Sequence, residues 1–65
     1  MSSIGKNIKK LREKMGISQD RLSKLADISS NTVAKLELGD SPNPTIETLQ
    51  KIAKALNVKV DDLIK

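Results

Sequence analysis

The sequence predicts an all-α fold, a compact bundle of four to five short helices around a small aliphatic core. Apolar residues recur at intervals of three and four along almost the whole chain, as they do on the buried face of a helix. No segment shows the strict alternation of apolar and polar residues that marks a half-buried strand. The 65 residues predict one domain, residues 1–65, near the lower size at which a chain folds alone.

The first two predicted helices are short. The first has an apolar stripe that ends before Gly16 and consists of Ile4, Ile8, Leu11 and Met15. The second begins after Ser18, a favourable N-cap, and has Asp20 in its first turn, where the helix dipole favours an acid. Its predicted inner face consists of Leu22, Leu25 and Ala26.

The third predicted helix begins at Ser29 and ends by Gly39. The segment GDSPNP follows as a loop, because each of its two prolines disfavours a helical conformation in the residue before it. Thr45 caps a fourth helix, which Asn57 ends. The apolar stripe of this helix is Ile46, Leu49, Ile52, Ala53 and Leu56, and the segment VDDLI is long enough for one closing turn.

The composition argues against an active site. The chain has no cysteine and no histidine, which removes the commonest metal ligands and the commonest general base. It also has no aromatic residue on which a base could stack. Asp61 and Asp62 are adjacent and diverge by about 100° on a helix, so they cannot act on one substrate together. We therefore expect that the protein is not an enzyme and that it binds no metal, cofactor or small-molecule ligand.

The net charge of +4 is unevenly distributed. Residues 1–36 carry a net charge of +5, whereas residues 37–65 carry −1. The positive net charge of the first half favours a surface that binds a polyanion, although a positive net charge also improves solubility. The N-terminus lacks the apolar core of a signal peptide and no run is long enough to span a membrane, which favours a cytoplasmic protein with no membrane partner.

Residues 18–38 have the pattern of a helix-turn-helix. The second and third helices are separated only by DIS, and so short a connection makes the two helices cross steeply. Ser23 is a small residue suited to the crossing point, where its hydroxyl needs a backbone acceptor. The first residues of the third helix then project outward.

From Leu11 to Ile64 the sequence resembles the lambda-repressor/Cro-like, or XRE-type, helix-turn-helix family. The matching features are Leu11-Arg12 before Gly16, Ser18-Gln19, Glu37 with Gly39, Pro44-Thr45 with Leu49, Ala53 with Leu56, and VKVDDL. The turn has Asp27 where the family usually has glycine, but aspartate tolerates the left-handed conformation.

The resemblance implies sequence-specific binding to double-stranded DNA through the first turn of the third helix. The base-contacting positions of the family correspond to Ser29, Ser30, Asn31 and Lys35. Asn31 is suited to bidentate bonding with adenine, and Lys35, one turn later, is able to reach guanine or phosphate. Ser29 also fits the N-cap of this helix, and the alternative for Lys35 is a solvated surface charge.

Gln19 and Thr32 are the predicted phosphate contacts. Gln19 lies just inside the second helix, where its amide could donate to a phosphate, and its alternative is an exposed helix former. Thr32 could instead bond the carbonyl four residues earlier. Backbone N–H groups of the loop from Gly39 to Asn43 are a further candidate for phosphate contact, whereas Lys9, Lys10 and Lys14 are expected to form a solvated face.

Arg12 and Glu37 look at first like a phosphate clamp and an isolated acid. In the family these positions commonly pair with each other, so the resemblance implies a structural ion pair that holds the first helix to the end of the third. Removal of one partner would leave the other charge partly buried.

The C-terminal segment 57–65 is the candidate for dimerisation. Its apolar residues exceed what one closing turn can bury, and in the family this segment commonly forms a two-fold interface. We expect Val60, Leu63 or Ile64 to lie at the interface, but the pattern does not decide which of them faces the core. A weak homodimer would read two half-sites about 34 Å apart in a near-palindromic operator.

These features predict a transcriptional regulator, most simply a repressor from a bacterium, phage or mobile element, associated with the nucleoid through DNA. The alternatives are an antitoxin whose main partner is a toxin, and a protein-interaction module that keeps the fold without using its groove-facing end.

Overall fold

The computed structural model describes residues 4–39 and 44–64 and confirms the all-α prediction. These residues form five helices and contain no strand. The helices are α1 (Ile4–Lys14), α2 (Gln19–Ala26), α3 (Ser30–Leu38), α4 (Ile46–Ala55) and α5 (Val60–Ile64). None of the helices in this part of the chain is long and apolar enough to cross a membrane.

Three helices begin at the hydroxyl residues that the sequence predicts as caps. These N-caps are Ser18 for α2, Ser29 for α3 and Thr45 for α4. In each case the hydroxyl oxygen accepts a hydrogen bond of 3.0 or 3.1 Å from the backbone N–H three residues later. Each bond satisfies one of the N–H groups that have no partner within the helix.

The turn between α2 and α3 depends on a left-handed residue. Asp27 has φ 57° and ψ 45°, so the departure from glycine at this position is accommodated. The N–H of Ile28 donates to the carbonyl of Ser23 at 2.9 Å, which closes the end of α2. Asn57 adopts the same conformation after α4, with φ 59°, and Gly39 does so after α3.

The core is aliphatic and draws on all five helices. Its buried members are Ile8, Leu22, Ala26, Val33, Leu36, Leu49, Ile52, Ala53, Leu56 and Leu63. Three residues predicted in apolar stripes are exposed instead. Leu25 is 46% exposed and Ile46 is 64% exposed, while Met15 lies half-exposed in the turn after α1. Membership of an apolar stripe therefore does not by itself place a side chain in the core.

The helices α2 and α3 pack closely where they cross. Ser23 is buried at 4% exposure, and its hydroxyl donates to the carbonyl of Asp20 at 2.6 Å. The backbone acceptor that the sequence argument required for this hydroxyl is therefore present.

A second close approach brings α1 against α3. A Cβ atom on Gly5 would collide with the carbonyl oxygen of Leu36 and lie 3.2 Å from the Cα of Glu37. The two backbones come this close only because residue 5 has no side chain. Sequence reasoning missed this position, since one glycine in a helix carries no periodic signal.

Candidate nucleic-acid interface

The first turn of α3 projects from the body of the protein. Ser29, Ser30 and Asn31 are exposed, whereas Val33 and Leu36 on the same helix are buried against α1 and α2. The helix is thus held by its middle and its end, and its N-terminal residues face outward. This geometry permits end-on insertion into a groove about 12 Å wide.

Asn31 and Lys35 are four residues apart and share one face of α3. Both side chains are exposed, and neither has a hydrogen-bond or ion-pair partner among the described residues. The amide of Asn31 and the ammonium of Lys35 are therefore available to a ligand.

Ser29 and Thr32 bond to each other at the start of α3. The hydroxyl oxygens lie 2.7 Å apart, and Ser29 Oγ also accepts from the N–H of Thr32 at 3.1 Å. Thr32 thus uses a partner that the sequence argument did not consider, the capping serine three residues earlier. Because a hydroxyl has one donor and two acceptor sites, each retains capacity for a ligand.

Arg12 and Glu37 form a two-pronged ion pair. Arg12 Nε lies 2.7 Å from Glu37 Oε2, and Arg12 Nη2 lies 3.1 Å from Glu37 Oε1. The remaining nitrogen, Nη1, donates to the carbonyl of Ile17 at 2.8 Å. The Glu37 side chain is only 3% exposed. All three guanidinium nitrogens are engaged inside the protein, so the pair joins α1 to the end of α3.

The charge of Glu37 is stabilised by its neighbours. Burial by itself raises the pKa of Glu37, but hydrogen bonds from Arg12 and Gln19 outweigh it, and the positive charges of Arg12 and Lys9 act in the same direction. The net effect is a pKa below the ordinary value. The carboxylate therefore stays ionised at neutral pH.

Gln19 is held by a contact inside the protein. Its Nε2 donates to Glu37 Oε1 at 3.0 Å, and the side chain is half-buried. The contact adds α2 to the pair between α1 and α3. Sequence reasoning missed it because the two residues are 18 positions apart and belong to different helices.

The structure removes one residue from the predicted dimer contact. Leu63 has 0% exposure within a single chain, so it faces the core and cannot also face a partner. Ile64 is 52% exposed, and Val60 is partly buried against the core. Lys65 and residues 40–43 of the predicted phosphate-contacting loop lie outside the described residues.

The adjacent acids of α5 have separate surroundings. Asp62 Oδ2 accepts from the N–H of Lys59 at 3.1 Å at the start of the helix, whereas Asp61 is exposed.

The described residues contain no group of three or more acidic, histidine or cysteine side chains that could hold a metal ion. Lys9, Lys10 and Lys14 are all exposed on α1.

The comparison with protein families agrees with this arrangement of α2 and α3. Residues 8–63, most of the chain, match the helix-turn-helix family. The chain belongs to this family. One relative of this helix-turn-helix protein is the uncharacterized transcriptional regulator YgzD of Bacillus subtilis (strain 168). The two sequences are 36% identical over 56 residues, and this aligned segment covers 86% of this chain and 83% of YgzD.

Two further relatives carry a described role. The immunity repressor protein of Bacillus phage phi105 is 31% identical over 62 residues, 95% of this chain and 42% of the repressor. The crystal structure of SinR, a master regulator for biofilm formation, in complex with DNA matches with a TM-score of 0.89 at 32% identity, covering 92% of this chain and 95% of that one. This helix-turn-helix protein is a transcriptional regulator. It spans 83% of YgzD but 55% of SinR from Bacillus subtilis (strain 168).

Proposed function

We propose that this helix-turn-helix protein represses transcription by binding a near-palindromic operator as a weak homodimer. The observation that carries the proposal is the exposed first turn of α3, where Asn31 has no partner among the described residues. Support comes from SinR, which has the same fold and binds DNA.

In this proposal the first turn of α3 enters the major groove. Ser29, Ser30, Asn31 and Lys35 contact base edges. Asn31 pairs with adenine N6 and N7, and Lys35 reaches guanine or a phosphate one turn further along. The two serines are short enough for the helix end to approach the bases.

Phosphate contacts fix the position of the helix on the duplex. Gln19 and the N-terminus of α2 donate to one phosphate, and the Thr32 hydroxyl donates to another. These contacts supply affinity for any sequence and make binding strongly salt-dependent.

Dimerisation through the end of α5 supplies the second half-site. A single small module touches too little DNA for useful specificity over competing genomic sites. Ile64 is the exposed apolar residue of α5, and Val60 lies one turn earlier. A patch this small predicts a dimer that is weak in free solution and is completed on DNA, in the cytoplasm of a prokaryotic cell.

The experiment is selection of bound duplexes from a random library, followed by affinity measurements at several salt concentrations. The expected result is a near-palindromic motif, an affinity that falls steeply with salt, and two chains per selected duplex. A footprint that covers one half-site with one chain would contradict the dimer. No enriched motif, together with co-purification of the product of a neighbouring gene, would support the antitoxin or interaction-module alternatives.

A further inference from the structure

We propose that Glu37 positions the amide of Gln19 for contact with a DNA phosphate. The inference rests on the proposed function and adds a residue that does not touch DNA. In this assignment Glu37 links the end of α3 to the start of α2. The phosphate-contacting Gln19 and the base-reading helix α3 therefore keep a fixed position relative to each other.

The hydrogen-bonding chemistry of a carboxylate fixes the orientation of the Gln19 amide. An ionised carboxylate only accepts hydrogen bonds, whereas a glutamine amide has a donating end and an accepting end. Gln19 therefore directs Nε2, and not its oxygen, toward Glu37 Oε1, at 3.0 Å. A neutral partner with both donors and acceptors would permit the reversed amide as well. The charge of Glu37 thus selects one orientation of Gln19.

This orientation leaves one hydrogen of the Gln19 amide unused. The amide nitrogen carries two hydrogens, and Glu37 uses one of them. Gln19 makes no other side-chain hydrogen bond among the described residues, and no buried side-chain nitrogen or oxygen in that part of the chain lacks a partner. The unused donor belongs to a half-buried side chain at the first position of α2. It is the donor that the proposal assigns to phosphate.

The negative charge of Glu37 is neutralised within the protein. An unpaired carboxylate close to the DNA surface would repel phosphate. Arg12 neutralises Glu37 through two contacts, of 2.7 and 3.1 Å, and its third nitrogen, Nη1, donates to the carbonyl of Ile17. Arg12 therefore holds Glu37, and Glu37 holds Gln19, whose amide nitrogen keeps one hydrogen that Glu37 does not use.

The experiment is a double-mutant cycle of Gln19→Ala and Glu37→Gln, with DNA affinity as the readout. Glu37→Gln keeps the size of the side chain but removes the charge that selects the amide orientation. The matched controls are Gln50→Ala and Glu47→Gln, exposed positions on α4. Affinities are measured for an operator and for an unrelated duplex, at a temperature well below the melting temperature of every variant.

If Glu37 acts through Gln19, each single variant binds both duplexes about three- to tenfold more weakly, the size expected for one hydrogen bond. The double variant then binds no more weakly than Gln19→Ala. The Glu37→Gln change still lowers the melting temperature in the Gln19→Ala background, because the contact with Arg12 is weakened in both. The control variants bind as the wild type does.

Two outcomes would overturn the inference. One is an additive cycle in DNA affinity. The other is a Glu37→Gln variant that melts earlier but binds DNA as tightly as the wild type, which would make Glu37 a purely structural residue. A wild-type protein that binds no duplex would instead contradict the proposed function, so the two failures are distinguishable.

A second measurement needs no substitution at Glu37. The side-chain amide resonances of Gln19, assigned by comparison with Gln19→Ala, should shift when DNA is added and should also shift when Glu37 is protonated by lowering the pH. Resonances that respond to DNA but not to protonation of Glu37 would contradict the coupling.

Discussion

Asn7 Nδ2 on α1 donates a hydrogen bond of 2.8 Å to the carbonyl oxygen of Leu63 on α5, across 56 positions of the sequence. The last carbonyls of a helix have no partner within it, so this bond satisfies one of them. It also fixes the end of α5 beside Ile64, the exposed residue of the proposed dimer contact.

We expect Asn7→Ala and Asn7→Asp to destabilise the protein by about 1 kcal/mol, because each removes the donor. For a domain of this size that corresponds to a melting temperature lower by about 4–8 °C. Asn7→Asp keeps the size of the side chain, and Lys6→Ala, at an exposed neighbour, is the control. Unchanged melting curves for both Asn7 variants would show that the bond contributes nothing.

The close approach of α1 and α3 predicts whether Gly5→Ala stabilises or destabilises the protein. Helix propensity alone makes Gly5→Ala stabilising by about 1 kcal/mol. The collision of a Cβ with the Leu36 carbonyl predicts the opposite, a loss of about 1–3 kcal/mol, because the two helices have to move apart. Urea unfolding decides between the two signs, and a more stable variant would contradict the packing described.

Stability should depend on the ionisation of Glu37 in acid. Its pKa in the folded protein is lower than in the unfolded chain, so its contribution is fully present above the unfolded value of about 4.3. The contribution is lost as the pH falls through the lower, folded pKa. The difference in unfolding free energy between the wild type and Glu37→Gln should therefore shrink below about pH 4.

The check is urea unfolding from pH 7 down to the acid limit, with Glu47→Gln as the matched control because Glu47 is exposed. A difference between the wild type and Glu37→Gln that stays constant across this range would mean that the carboxylate is not stabilised as described.

Asn31→Ala should weaken specific binding by about 1–3 kcal/mol and relax the preference at one base pair of each half-site. Gln19→Ala should instead weaken binding to all sequences about equally, because phosphate carries no sequence information. Gln50→Ala is the control for loss of an exposed amide. A motif selected by Asn31→Ala that is identical to the wild-type motif would remove Asn31 from base reading.

Ile64→Lys should abolish cooperative operator binding and leave the monomer folded, because Ile64 is 52% exposed. Leu63→Lys should unfold the chain, because Leu63 is fully buried. Ile46→Lys places the same charge at another exposed isoleucine and should leave cooperativity intact. Sedimentation on the operator distinguishes one bound chain from two. Cooperative binding by a folded Ile64→Lys would move the dimer contact elsewhere.

The sequence by itself determined the helices, their caps and the helix-turn-helix. These features depend on local properties, namely the period of apolar residues and the chemistry of Ser18, Ser29 and Thr45 at helix starts. The outward position of Asn31 also followed, since a helix that buries Val33 and Leu36 directs its first turn away from the core.

Only the tertiary structure decided how residues distant in sequence meet. Periodicity gives the direction of a side chain relative to its own helix, but not how far a neighbouring helix extends over it. For that reason Leu25 is exposed and Leu63 is buried, although both belong to apolar patterns. The contact of Gln19 with Glu37 depends on the positions of two separate helices, which no local pattern in the sequence specifies.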